Sequence, residues 1–266
     1  LDAGLPIVAV LLPGEGGLRP LQPPGSLAIL TPAASPSIVS LAWQRGLPVF
    51  EIGRLDPHEE LRPDVMVVAC WPWLIPARFR ALARLGAVNI HPSLLPDNRG
   101  AAPLFWTFRR GLSATGVTVH LLDARLDAGD ILAQRELPVP EGISGAELEL
   151  QLAETGGELL VQTLQHLPLH GRQQDESRAT TFGQPGAGDY LLSTDRPARW
   201  AFNFVRGVGT GRIVLGDREV TITDAVSFHE DQRLGSAFER GGDLLRLQFR
   251  PGVLVARVMR NPAIFS

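Results

Sequence analysis

Asn89, His91 and Asp127 are the residues of this chain whose types and spacing suit work on a carbonyl group. An amide N–H can hold a developing oxyanion. An imidazole can donate to that oxygen or move a proton, and a carboxylate can fix the imidazole tautomer and raise its basicity. Asn89 and His91 are two apart at the end of a short apolar run, so in a strand both side chains point to the same side. The chain holds no G-x-S-x-G, and all 25 of its basic residues are arginine. A nucleophile elbow and lysine Schiff-base chemistry are excluded, and direct attack by an acceptor amine fits better than an enzyme-bound acyl group. Taken singly, the three residues have plain readings. Asn89 is then a turn cap, His91 a surface histidine and Asp127 a cap of the turn at Gly129.

The elements that must position them follow an α/β pattern. Residues 6–12 and 64–70 are apolar, β-branched runs that read as buried parallel strands, and residues 47–50 as a short one. Residues 13–36, rich in Pro, Gly and Ser, read as a long loop, and residues 37–45 as a short helix ending at Gly46. Pro76 opens a helix over 76–85 that Gly86 stops. Residues 87–91 form the next strand, 103–110 a helix ending at Gly111, and 115–122 another strand. The loop 123–130 carries Asp127 and leads to the apolar pair Ile131 and Leu132. Ser144 and Glu147 make a capping box that opens a helix to about residue 167. Strands alternating with helices predict an open α/β sheet over residues 1–170.

Beyond Gly171 the character changes. Residues 171–190 are polar and read as a linker. A helix starts at Ser193 or Asp195, runs through Pro197 and ends near Arg206. Strand candidates at 211–215, 219–223, 244–249 and 252–258 predict a small antiparallel sheet or barrel over 191–266.

Composition bounds the function. Of 266 residues, 44% are apolar and 20% charged, ordinary for a globular chain, and no apolar run reaches the roughly 20 residues that cross a bilayer. The first residues offer no basic region of a signal peptide. The single cysteine, Cys70, precludes an internal disulfide, fits a reducing cytosol and is expected to pack in the core. Residues 1–194 carry 14 Arg against 20 acidic groups, and residues 195–266 carry 11 Arg against 8. That balance permits a polyanionic partner on the tail without demanding one.

Three blocks in order make the pattern specific. Residues 89–103 read N-I-H-P-S-L-L-P-x-x-R-G-A-x-P, residues 115–118 T-G-V-T, and residues 126–130 L-D-x-G-D, with Asp127 lying 38 residues after Asn89. Together they resemble the folate-dependent formyltransferase family, whose members act on methionyl-tRNA, glycinamide ribonucleotide or amino-sugars. The resemblance implies an open, mostly parallel Rossmann-like sheet followed by a small C-terminal β-barrel-like domain. It implies 10-formyltetrahydrofolate as formyl donor, no metal, and Asn89, His91 and Asp127 as catalytic residues. Asn89 and protonated His91 would steady the oxyanion, and Asp127 would support the imidazolium and help carry off the amine proton. It further places Cys70, Trp71, Trp73, Leu74, Leu94, Leu95, Asp123, Gly129 and Asp130 at the folate, where an aromatic wall suits a flat pterin. Trp71 and Trp73 are also open to a plain packing role.

Other positions stay subordinate. His120 reads as a sheet or rim residue, and Arg99 as a loop-fixing residue bonded to backbone. The resemblance also implies a first strand and helix upstream of Leu1. For the acceptor it leaves two choices, methionyl-tRNA first and a small amine such as an amino-sugar or amino-acid derivative second. The methionyl-tRNA enzymes carry a Lys- and Arg-rich loop where residues 13–36 here hold only Arg19 as a base. A cytoplasmic location is expected. A non-catalytic folate-binding protein is the rival from another class, though mere binding has no need of all three residues. A Rossmann nucleotide domain is weaker still, since no G-x-G-x-x-G is present.

Overall fold

The computed structural model describes residues 4–14, 19–22, 37–52, 62–241 and 244–259. Most of the loop expected over 13–36 lies outside the described residues. In chain order the elements are β1 (Val10–Pro13), β2 (Arg19–Pro20), α1 (Ile38–Gln44), β3 (Val49–Ile52), β4 (Val65–Ala69), α2 (Ala77–Arg80) and β5 (Gly86–His91). There follow β6 (Arg99–Gly100), α3 (Pro103–Arg110), β7 (Ala114–Leu121), β8 (Ile131–Pro138), α4 (Gly145–Leu164) and β9 (Thr181–Phe182). The last are α5 (Ala198–Val208), β10 (Gly211–Leu215), β11 (Arg218–His229), β12 (Phe238–Gly241), β13 (Leu244–Gln248) and β14 (Val253–Val258). The chain divides into two compact units. One comprises Leu1–Ile90, Val119–Ala133 and Glu158–Gln173, the other His91–Thr118, Gln134–Gly157 and Gln174–Ser266.

In the first unit β1 and β3 pair in parallel, as do β4 and β5, with Val68 opposite Asn89. β2 pairs antiparallel with β3, giving a three-stranded sheet of order β1-β3-β2, and a separate four-stranded sheet has the order β4-β5-β7-β8. Leu122 N–H donates to Ala87 O at 2.8 Å and Leu121 N–H to Asp130 O at 2.9 Å. The end of β7 therefore meets the starts of β5 and β8, so β7 alone opposes the others and the sheet is mostly parallel. Val88 and Val119 are fully buried against Leu159, with Ile90, Leu121, Leu132 and Leu160 packed around them. A second cluster joins Ile52, Ile75 and Phe79 with Leu11, Met66 and Trp71 around it. Alternating β with α over these residues is what their apolar runs require.

Local signals explain most boundaries. Pro103 stands at the start of α3 and Gly111, at φ 73, ends it. Ser144 N–H donates to Glu147 Oε2 at 2.9 Å and Glu147 N–H to Ser144 Oγ at 3.2 Å, so the capping box forms as its spacing predicts. The helix expected over 76–85 is cut to one turn. Leu82 and Ala83 bond three residues back, and the N–H groups of Arg84 and Leu85 turn to Pro63 O and Asp64 O. Those carbonyls precede β4, so tertiary pairing overrides local helix propensity.

In the second unit β10-β11-β14-β13-β12 form one antiparallel sheet. Ala198, Trp200, Ala201, Phe204 and Val205 give α5 one buried face, and its strongest packing is against β11. β11 runs to His229 rather than stopping at Thr223, because register shifts after Ile222 and Ala225 break its alternation without ending its pairing. β12, mostly exposed with Phe238 and Arg240 outward, escaped the apolar pattern because it is an edge strand. The polar stretch after Gly171 holds single helical turns at Glu176–Arg178 and Ala187–Tyr190 and pairs in parallel with β6 through β9. Among the described residues no helix is long and apolar enough to cross a membrane.

Candidate active site

Asn89 lies near the end of β5, opposite His120 of β7. Its Nδ2 stands 3.1 Å from His120 Nε2. His120 is fully buried, and its Nδ1 stands 2.9 Å from Leu121 O. A carbonyl only accepts, so Nδ1 carries the hydrogen there. Nε2 of the neutral ring then accepts from the amide, which sets the amide's orientation from the network. His120 Nε2 also lies 3.8 Å from Asp127 Oδ1, ion-pair range if the ring is charged but too long for a hydrogen bond. Asn89 and Asp127, 38 residues apart in the sequence, thus meet around one imidazole. That imidazole belongs to His120, which the sequence reading left as a sheet or rim residue. A histidine inside an otherwise apolar, β-branched strand was the available signal.

Asp127 is buried at φ 51, a region that only Asn, Asp and Gly adopt readily. Gly129 two residues on is required by contact, since a Cβ there would collide with Leu121 O. Asp123 accepts from Arg125 N–H at 2.6 Å and shapes the start of the same loop. The loop is therefore folded back on the end of β7, with Ala128 buried beneath it. Asp130, half-buried, ends it at the β8 side.

The segment after β4, expected as the other wall, lies in this unit too. Trp71 packs on the Ile52–Ile75–Phe79 cluster, and its ring meets that of Trp73 edge-on at 5.7 Å. Trp73 and Leu74 are 48% and 64% exposed, so they present apolar surface that the core does not use. The Trp71 indole N–H is buried without a hydrogen-bond partner among the described residues. The exposed apolar surface of Trp73 and Leu74 suits a flat heteroaromatic ligand. Cys70 is a correction. It is exposed at φ 52, not packed in the core, at the end of a strand in which Val67 and Ala69 are exposed too.

His91 is held in the second unit. It is 4% exposed, with Nε2 3.0 Å from Asn98 O. The loop after it is fixed by Thr118 and Gln134. Thr118 Oγ1 donates to Ser93 O at 2.7 Å and accepts from Leu95 N–H at 3.2 Å. Gln134 Nε2 donates to Leu95 O at 2.7 Å and to the Thr118 hydroxyl at 2.9 Å. Leu95 is thus a core residue, 2% exposed, and Leu94 packs where a Cβ on Gly116 would strike it. Arg99 does fix the loop, but through side chains rather than backbone. Its guanidinium donates to Gln174 Oε1 at 2.7 Å and to both Glu176 oxygens at 3.1 Å. Thr118, Gln134, Gln174 and Glu176 were missed by sequence reading. Of these, only the polar Thr118 inside a buried strand offered a signal.

Among the described residues no group of three or more His, Cys, Asp or Glu is placed to hold a metal ion. What the arrangement offers is an amide whose Nδ2 carries two hydrogens, one of them engaged by His120, beside a buried carboxylate. Such a set can donate to a carbonyl oxygen and receive a proton.

The formyl transferase family model matches residues 53–164. A methionyl-tRNA formyltransferase of Synechococcus sp. (strain JA-3-3Ab) is 42% identical over 176 residues, 62% of this chain and 55% of that protein. One from Staphylococcus aureus (strain JH1) is 31% identical over 220 residues, covering 78% of this chain and 70% of the relative. Among solved structures, an N-formyltransferase from Helicobacter canadensis, in complex with folinic acid and dTDP-3-aminofucose, superposes with TM-score 0.64. It shares 14% identity over 84% of this chain and 83% of its own, a likeness of fold. The chain spans about half the length of the Synechococcus relative.

Proposed function

This chain belongs to the formyltransferase family, and from that premise we propose that it transfers a formyl group from 10-formyltetrahydrofolate to a primary amine. The contact of Asn89 and Asp127 around His120 carries the reading, because binding alone needs no buried carboxylate beside an oriented amide. The donor supplies the formyl carbon. Trp71, Trp73 and Leu74 would hold its pterin by area burial. Cys70, Leu94, Leu95, Asp123, Gly129 and Asp130 are proposed as further folate-site residues, as the family resemblance implies.

Asn89 donates its remaining amide hydrogen to the carbonyl oxygen as negative charge grows there. Protonated His91 donates to the same oxygen, and the neutral ring can take up a proton. Asp127 takes up the amine proton, directly or through water. His120 positions Asn89. The catalytic domain is proposed to span 1–170 and to be followed by a linker over 171–190 and a C-terminal domain over 191–266.

Methionyl-tRNA is the first acceptor, on the strength of the names that the Synechococcus and Staphylococcus relatives carry. A small amine is the second reading, favoured by Arg19 being the sole base in residues 13–36. The test incubates the protein with 10-formyltetrahydrofolate and either methionyl-tRNA or a panel of amino-sugars and amino acids, and follows tetrahydrofolate release. Release with methionyl-tRNA alone supports the first acceptor. Release with an amino-sugar alone supports the second. Folate binding without release for any amine would leave a folate-binding protein.

A further inference from the structure

The polar stretch after Gly171 does more than connect. Thr180 meets the loop after His91 at four points. Its N–H donates to Pro96 O at 3.2 Å, and its carbonyl accepts from Arg99 N–H at 2.9 Å. Its hydroxyl donates to Asp97 Oδ1 and accepts from Asn98 N–H at 2.8 Å. One hydroxyl hydrogen and one lone pair satisfy both, a combination that among small side chains only Ser shares. Asp97 is held from the other side by Arg110, whose Nη1 lies 2.8 Å from Oδ2. Gly100 and Phe182 extend the pairing, and a Cβ on Gly100 would collide with Phe182 O.

The residue in the middle of this grip is Asn98, at φ 63. Asn is one of the few non-glycine residues that adopt that conformation readily, and here the bonds around it fix it. Its side chain is anchored too, with Nδ2 donating to Pro103 O at 2.8 Å. The carbonyl of Asn98 is the group that meets His91 Nε2 at 3.0 Å. Since that oxygen only accepts, it requires the hydrogen on Nε2, and the basic lone pair of the neutral ring is then on Nδ1. The direction of the Asn98 carbonyl thus helps set which nitrogen of the neutral His91 ring carries the hydrogen.

We propose that Thr180 is a positioning residue for His91, orienting the Asn98 carbonyl and so selecting the tautomer that the imidazole presents. The inference rests on the formyl-transfer reading for its consequence in rate, and on the hydrogen bonds above for its consequence in structure. Thr180→Val keeps the backbone bonds and removes the hydroxyl; Thr180→Ser keeps both.

The test has two arms. In the first, ring nitrogen-15 shifts of His91, assigned with a His91→Gln spectrum, are recorded above the ordinary imidazole titration range. Wild type and Thr180→Ser are expected to show Nε2–H, and Thr180→Val a mixture of tautomers. In the second, Thr180→Val is expected to lower kcat by about tenfold with KM for the folate donor within about twofold, and Thr180→Ser to restore it. Thr180→Ala replaces the valine variant if the latter fails to fold. An unchanged Nε2–H signature in a folded hydroxyl-free variant overturns the proposal. If wild type transfers no formyl group to any amine, the functional reading fails, and the nitrogen-15 arm still decides the role of Thr180.

Discussion

The loop after His91 is held by side chains, whereas the loop carrying Asp127 is held by its own backbone and by close packing. In the first, Thr118, Gln134, Arg99 and Thr180 together bond the backbone or side chains of Ser93, Leu95, Pro96, Asp97 and Asn98 or brace the loop from residues 174–176. In the second, the determinants are Asp127 at positive φ, Gly129 pressed on Leu121 O, and an Asp123–Arg125 turn. The two modes fail differently. A network of side-chain hydrogen bonds loses about 1 kcal/mol per neutral bond, and more at the charged bonds of Arg99, and so degrades step by step. A backbone contact with no room for a Cβ fails at once, because no rotamer relieves it. A candidate nucleophile partner such as Asp127 is thereby placed by geometry that few substitutions tolerate, and His91 by geometry that can be tuned.

The contrast can be broken at its strongest point first. Gly129→Ala drives a Cβ into Leu121 O. We expect a loss of about 3 kcal/mol or more, read by urea denaturation, together with loss of formyl transfer in whatever fraction stays folded. A stable, active Gly129→Ala protein would remove the claim that the Asp127 loop is set by its backbone.

Gln134→Leu should come next. It deletes donors to Leu95 O and Thr118 Oγ1, leaving a buried carbonyl short of a partner. The expected cost is about 1–2 kcal/mol in the same titration, with activity reduced but present. A cost as large as that of Gly129→Ala would mean that both loops are held all-or-none.

The smallest effect belongs far from either loop. Glu147, fully exposed at the start of α4, has its carboxyl held below the ordinary range by the side-chain and backbone hydrogen bonds of Ser144. A depressed carboxyl contributes stability that is full above its unfolded pKa and is lost as pH falls through its folded one. Ser144→Ala should therefore lower the melting temperature slightly at neutral pH, and the gap to wild type should close in acid below the ordinary glutamate range. A gap that widens in acid would contradict this account of the cap.

Much of the scaffold was legible because its causes are local. The apolar run of β4, the Pro103 start and Gly111 end of α3, and the Ser144–Glu147 box each state their element within a few residues. What was not legible depends on partners distant in sequence. The helix after Pro76 is shortened by carbonyls before β4, and β11 continues across register shifts that hide its alternation. Cys70 reads as core from its apolar neighbours, yet it is exposed along with Val67 and Ala69 of the same strand. In the candidate site type and spacing single out Asn89, His91 and Asp127, of which Asn89 and Asp127 converge on His120. Thr180, Gln174 and Glu176 were not legible, since a polar stretch looks the same whether it is solvated or clamped on a loop.

The central claim is that the Asn89, His91 and Asp127 set performs formyl transfer, and Asp127→Asn tests it most directly. The measurement is single-turnover release of tetrahydrofolate from 10-formyltetrahydrofolate with the accepted amine, alongside binding of 5-formyltetrahydrofolate. The account predicts unchanged folate binding and a rate lowered by about a hundredfold or more, the range expected when a proton-transfer group is removed. Equal rates for Asp127→Asn and wild type would contradict it.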